Sequence, residues 1–390
     1  MKKNIVIIGA NEFQEPLIQR ARELGYVSHV FAWQADDVGE YSADYFYPIS
    51  IIEKERILEI CRKIEPVGIV SIASDLAAIT VNFVAEALGL VGNGMESAMV
   101  STNKHLMRRA FEKAGLPSCK SVLADEGMDL SQLNMDYPLI VKPTDRSGSR
   151  GIFKVLRPEE LENAVAFARA PSFEKKVLIE EFAEGREYSI EYISYEGEHT
   201  FLACTEKFTT GAPMFVETGH LQPPKHMDEE TLGRIKELVP KVLCSLGVKH
   251  GASHTELKID ERGNIKLIEC GARMGGDCIG SDLVKISTGI DFVGAVVDVA
   301  CGKAPALKVC TEPKISAIRF IFNQQELECF EKIKALRPEN IYRASEIMPI
   351  DGRQISDSST RYGFYILQSE SMEDMLELLK MSGLDEAYFD

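Results

Sequence analysis

Two carboxylates flanking one turn are the most chemically suggestive feature of this 390-residue sequence. In SHTELKIDERGNIKLIECGAR, the stretch from Asp260 to Asn264 has the composition of a turn between two alternating strands. A turn centred between Arg262 and Gly263 sets Glu256 opposite Glu269, with Cβ atoms about 5 Å apart. His254, Lys258, Leu267, Gly271 and Arg273 then lie near them. Like charges facing each other in a sheet are destabilising unless one is protonated or a cation neutralises them. Magnesium suits such a pair, because it takes oxygen ligands and bridges one or two carboxylates to substrate phosphates; manganese is the substitute ion. Zinc would want more His or Cys than this hairpin offers. A register shifted by one residue is the alternative, and it would turn one glutamate to solvent.

Two further segments carry groups suited to a nucleotide. In YPLIVKPTDRSGSRG, strand alternation puts Ile140 and Lys142 on one face and Leu139 and Val141 on the other. The loop that follows, Asp145 to Gly151, has backbone N–H groups and hydroxyls at Ser147, Gly148 and Ser149 that could fold over phosphates; a plain hairpin loop fits the same composition. No Walker A sequence occurs. In KVLIEEFAEGREYSIEYI, an apolar strand ends in Glu180, Glu181 and Phe182, turns at Gly185 and restarts with Glu187, Ser189 and Glu191 on one face. Glu187 could accept hydrogen bonds from two ribose hydroxyls, or this face is simply solvated. Lys104 stands in the first turn of a helix capped by Asn103, where a cation is mildly unfavourable.

The elements that must hold these groups read as α/β. Residues 1 to about 100 alternate short apolar runs with amphipathic helices and predict a parallel sheet, including a helix capped by Ser74 and closed by Gly89. The opening IVIIGANEFQ keeps only one of the three glycines of a dinucleotide fingerprint, so a nicotinamide site ranks last among the functions considered. Hairpins and helices fill 120 to 310, and the strand-like KISAIRFIF and RYGFYIL with a final helix near 373 to 380 form a small α+β closing piece.

Composition sets outer bounds. Hydrophobic residues at 45% and charged residues at 27% are ordinary for a globular protein, and the formal net charge of −16 argues against nucleic acid as a partner. No run approaches eighteen apolar residues, the apolar stretch after the first two lysines is too short for a signal peptide, and nine cysteines lack any C-x-x-C pair. A cytoplasmic protein with no membrane partner is expected.

Taken in order, NKHLMRRAFEKAGLP, YPLIVKPTDRSGSRG, VLIEEFAEGREYSIE, HTELKID and LIECGARMGG resemble five parts of the ATP-grasp superfamily. These are its lysine-bearing helix, its phosphate strand with glycine-rich lid, its adenine hinge with ribose carboxylate, and the two strands of its metal hairpin. The resemblance implies an ATP-grasp fold with an N-terminal Rossmann-like domain over 1–102, an ATP-grasp domain over 103–310 (subdomains about 120–183 and 184–310) and a small C-terminal α+β domain over 311–390. It implies that Lys104 and Lys142 bind the ATP phosphates under Ser147, Gly148 and Ser149. Ile140, Glu180, Glu181, Phe182 and Leu267 would line the adenine, Glu187 would hold the ribose, and Glu256 and Glu269 would ligate magnesium. Arg273 would stabilise the transferring phosphoryl group, with Glu269 and Lys142 as its catalytic companions. The family's metal strand usually reads E-x-N-x-R; here the asparagine position is Gly271, so water, Asp277 or another group has to supply that donor.

TEKFTTGAPMFVETGHLQPP, HGASHTE and GARMGGDCIG resemble the branch that ligates L-amino acids or related small carboxylates. Glu217 and His220 are the candidates for acceptor recognition, with an exposed polar loop as the other reading. The expected reaction joins a small-molecule carboxylate to an amine through an acyl phosphate, releasing ADP and phosphate. A purine-biosynthetic enzyme resembling glycinamide ribonucleotide synthetase and a non-catalytic ATP sensor are the alternatives, and a homodimer is left open.

Overall fold

The computed structural model describes residues 2–125, 127–385 and 388–389. Its first sheet is parallel, with strands Tyr45–Pro48, Val27–Ala32, Asn4–Ile8 and Ile69–Val70 side by side in that order. Ile5 and Ile7 pack to one side and Val6 and Ile8 to the other, the two-faced burial that makes a parallel strand read as a continuous apolar run. On this sheet lies the helix Asp75–Leu88, whose N-cap Ser74 accepts from the Ala77 N–H at 3.3 Å and whose C-cap Gly89 takes φ +66°. The helix Gly94–Thr102, absent from the sequence reading, leads directly into the helix Lys104–Lys113.

A second sheet is antiparallel, in the order Ser121–Ala124, Val177–Glu181, Leu139–Pro143, Phe153–Val155. Leu139 and Val141 are fully buried against Leu161, Ala164, Val165 and Ala168, so Ile140 and Lys142 face the other way, as alternation predicts.

The third sheet has eight antiparallel strands: Ile265–Gly271, Gly251–Ile259, Arg186–Tyr195, Glu198–Thr209, Glu217–Gln222, Ile315–Ile321, Gly363–Ser369 and Ile341–Ala344. The C-terminal strands therefore continue the sheet of the Glu256–Glu269 hairpin, with Gly219 paired to Arg319 and Leu221 to Ala317. Beneath the hairpin, Met107 and Phe111 of helix Lys104–Lys113 and Ile235, Val239 and Val242 of helix Glu229–Ser245 form a closed apolar core. Among the described residues, no helix is long and apolar enough to cross a membrane.

Candidate active site

The hairpin brings Glu256 directly opposite Glu269 and His254 opposite Gly271. Nearer the turn the register is different. Gly263 takes φ +76° and Asp260 closes a three-residue loop with Asn264, so Lys258 faces Lys266 and Leu257 faces Leu267. A bulge at Ile268 then absorbs one residue and restores the glutamate pairing. This corrects the sequence reading at one site residue. Leu267 turns into the core against Met107 and Phe111 and is fully buried, while Ile268 lines the cleft in its place.

The two glutamates are balanced by protein cations. Lys207 Nζ donates to Glu256 Oε1 at 2.5 Å and lies 3.1 Å from Glu187 and 3.6 Å from Glu217. Lys104 Nζ donates to Glu269 at 2.9 Å and to the Arg146 carbonyl at 2.8 Å. The sequence reading asked for a protonated member or a cation and named magnesium; these two lysines are cations it did not foresee there. Burial opposes a charge on Lys207, yet Glu256, Glu187 and Glu217 hold its ammonium well above the ordinary lysine range. Burial likewise opposes protonation of His254, but Glu191 and Glu256 on either side outweigh it and raise it to about 9. Among the described residues, no three His, Cys, Asp or Glu side chains are gathered so as to hold a metal unaided.

Fourteen of the sixteen residues singled out from the sequence line one cleft; Leu267 and His220 lie outside it. Lys104, Lys142 and Arg273 are among the cations that line it. Lys142 is 2.6 Å from Glu180, which is also 2.6 Å from buried Arg108; burial opposes ionisation of Glu180, but these cations hold its carboxyl below the usual range. Ile140, Ile152, Phe182, Phe215 and Ile268 supply apolar wall; the Phe182 and Phe215 ring centres are 5.9 Å apart, with Lys154 3.5 Å and Lys258 5.3 Å from the Phe182 ring centre. Ser189 and Glu191 are fully buried, which excludes a solvated face, and Glu187 borders the cleft.

The loop Asp145–Gly151 lies over the cleft. Ser149 Oγ donates to the Phe215 carbonyl at 3.1 Å, and Gly148 sits so close to Ser358 that an added Cβ would lie 2.7 Å from its Oγ. With φ +69° as well, position 148 suits glycine alone.

A second cavity opens beside the first and shares Ser147, Gly148, Glu217, His254, Glu256 and Arg273 with it. His220 is here rather than in the first cleft, buried to 1% exposure, with Nε2 3.5 Å from Asp277 and Nδ1 without a hydrogen-bond partner among the described residues. Asp277 does not fill in for the asparagine absent at 271. Arg361 holds it through bonds of 2.8 and 2.9 Å and also donates to the Glu217 carbonyl at 3.1 Å.

Sequence reasoning missed Lys207, Asp75 and the role of Arg361. Only Lys207 had a local signal: the Glu196-Gly197 turn places Lys207 opposite Glu187 across the hairpin.

Known proteins agree with this geometry. Residues 135–282 match the ATP-grasp domain family. Alanine–anticapsin ligase of Bacillus subtilis (strain 168) is 30% identical over 295 residues, 66% of this chain and 61% of that protein, so the chain spans less than two thirds of that relative's length. The crystal structure of an L-amino acid ligase from Bacillus licheniformis superposes with a TM-score of 0.81 at 25% identity, covering 98% of this chain and 97% of that one. A phosphoribosylglycinamide synthetase from Anaerococcus prevotii superposes with a TM-score of 0.75 at 19% identity over 97% of both chains, a likeness of fold alone. Residues 135–282 thus carry an ATP-grasp domain, and the whole chain shares the fold of that L-amino acid ligase.

Proposed function

We propose that the chain is an ATP-dependent carboxylate–amine ligase that activates a small carboxylate, an amino acid, and joins it to an amine with release of ADP and phosphate. The observation that carries this reading is the set of groups one cleft gathers: the cations Lys104, Lys142 and Arg273, the facing Glu256 and Glu269, the Phe182–Phe215 pair, and a second cavity that shares Glu256 and Arg273 with it. Adenine lies against Phe182, Phe215 and Ile268, Glu187 takes the ribose hydroxyls, and Lys104 and Lys142 take the phosphates.

Glu256 and Glu269 present hard oxygen donors in the same cleft, and magnesium needs only one or two carboxylates when phosphates complete its shell, so the residues fit that ion. Bound there, magnesium would draw charge from the phosphate oxygens. The chain does the rest by positioning and neutralisation. A carboxylate oxygen attacks the γ-phosphorus, the bond to ADP breaks, and the charge spreading over the transferred group meets Lys104, Lys142 and Arg273. The amine then attacks the acyl carbon, phosphate leaves, and the amine's proton passes to solvent. Ser147, Gly148 and Ser149 exclude water that would hydrolyse the mixed anhydride.

Glu217 and His220 recognise the amino-acid partners in the second cavity, whose wall both residues help to form. The test is ADP release from magnesium-ATP with amino acids singly and in pairs, alongside phosphoribosylamine. Turnover with an amino-acid pair is expected; turnover with phosphoribosylamine alone would overturn the reading.

A further inference from the structure

We propose that Asp75, reaching in from the N-terminal sheet, is the positioning residue for Arg273 and occupies the space that glycine at 271 leaves open; the proposal rests on the phosphoryl-transfer role given to Arg273 above. A Cβ built on Gly271 would lie 3.1 Å from Asp75 Oδ1 and 3.3 Å from Arg273 Nε, tighter than ordinary van der Waals contact. Position 271 is where the family's asparagine stands, so its side chain and the Asp75–Arg273 pair compete for one volume. Gly271 resolves that competition in favour of the pair.

The geometry of the pair is that of a clamp. Arg273 Nε donates to Asp75 Oδ1 at 2.7 Å and its NH2 nitrogen to Oδ2 at 3.1 Å, a two-pronged contact that fixes the plane of the guanidinium. The NH1 nitrogen donates to the Met274 carbonyl at 3.2 Å. Three of the five N–H groups are thereby spent on orientation and two remain for a phosphoryl oxygen. Both side chains are only 15% exposed, so the contact is little screened by solvent.

The placement of Asp75 is itself well determined. It is the first residue of helix Asp75–Leu88, where Ser74 caps the end and an anion is favoured. The preceding Ala73 N–H donates to the Met274 carbonyl at 3.3 Å, pinning the two segments together. Burial opposes ionisation of Asp75, but Arg273 and then Lys104 hold its carboxyl below the ordinary range. The helix of one sheet thus orients the arginine of another.

Binding of a non-hydrolysable ATP analogue and of ADP, each with magnesium, is to be measured by calorimetry for the full chain and for Asp75→Asn, Arg273→Gln and the double variant. Each single change is expected to lower the preference for the triphosphate about tenfold, and the double change no further, because the aspartate acts only through the arginine. Additive losses, or a loss in Arg273→Gln with none in Asp75→Asn, would overturn the proposal. Should Asp75→Asn not fold, Gly271→Ala carries the same test: its methyl group displaces the clamp, and an unchanged preference contradicts the account. These readouts need no turnover, so they stay separate from the ligase reading, which fails if no acid and amine release ADP.

Discussion

The two adjoining cavities that share Glu256 and Arg273 are built in different ways. The nucleotide cleft takes much of its wall from three strands: Ile140 and Lys142 from one, Glu180 and Glu181 from its neighbour, and Ile268, Glu269 and Gly271 from the strand Ile265–Gly271 of the eight-stranded sheet. The second cavity draws on more numerous and more scattered segments, many of them loops and element ends, among them Asn11, Trp33, Asp75, Asp277 and Ser358. A strand fixes the spacing and facing of its side chains, so the cleft is a rigid charge pattern; the cavity's shape depends on how separate elements pack. Chemistry common to the superfamily belongs on the first kind of surface, and choice of substrate on the second.

Substitutions can break that contrast at different depths. Glu269→Gln removes a carboxylate from the rigid cleft, and turnover should fall about a thousandfold while ADP affinity, measured by calorimetry, stays within a few-fold. Lys207→Met leaves Glu187, Glu217 and Glu256 without their common cation between the two cavities, and chemical denaturation should show about 3–5 kcal/mol of lost stability. Arg361→Met frees Asp277, which lines the second cavity and not the cleft. The KM for the amino-acid substrate should rise about tenfold with the KM for ATP unchanged, and an equal rise in both would erase the distinction drawn here. The bulge gives the finest test. Leu267→Ala should cost about 2–5 kcal/mol of stability and spare nucleotide binding, whereas Ile268→Ala should raise the KM for ATP about threefold with little loss of stability.

What could be read from the sequence follows the same division. Period-two alternation was enough to aim Ile140 and Lys142 into the cleft, whereas a turn centred between Arg262 and Gly263 paired Glu256 with Glu269 only because the bulge at Ile268 offsets the one-residue difference of the actual loop. The extra residue at Ile268 could not be seen, because a bulge leaves no compositional mark in an apolar stretch, and Leu267 was therefore aimed into the cleft instead of the core. Lys207 looked like one more charged strand residue, since its burial depends on Glu217 and Glu256 arriving from two other strands. Asp75 and Arg361 reach their partners across 198 and 84 residues of sequence, and nothing local announces such meetings. The C-terminal segment was read as a closing piece of its own, yet its strands extend the eight-stranded sheet and Arg361 carries it to the cavity wall.

The central claim is that a carboxylate oxygen attacks the γ-phosphorus of ATP, and labelling that oxygen tests it. With a substrate amino acid carrying 18O in its carboxylate, mass spectrometry of the released phosphate should find one labelled oxygen for each amide formed. Unlabelled phosphate accompanying amide formation would contradict the account.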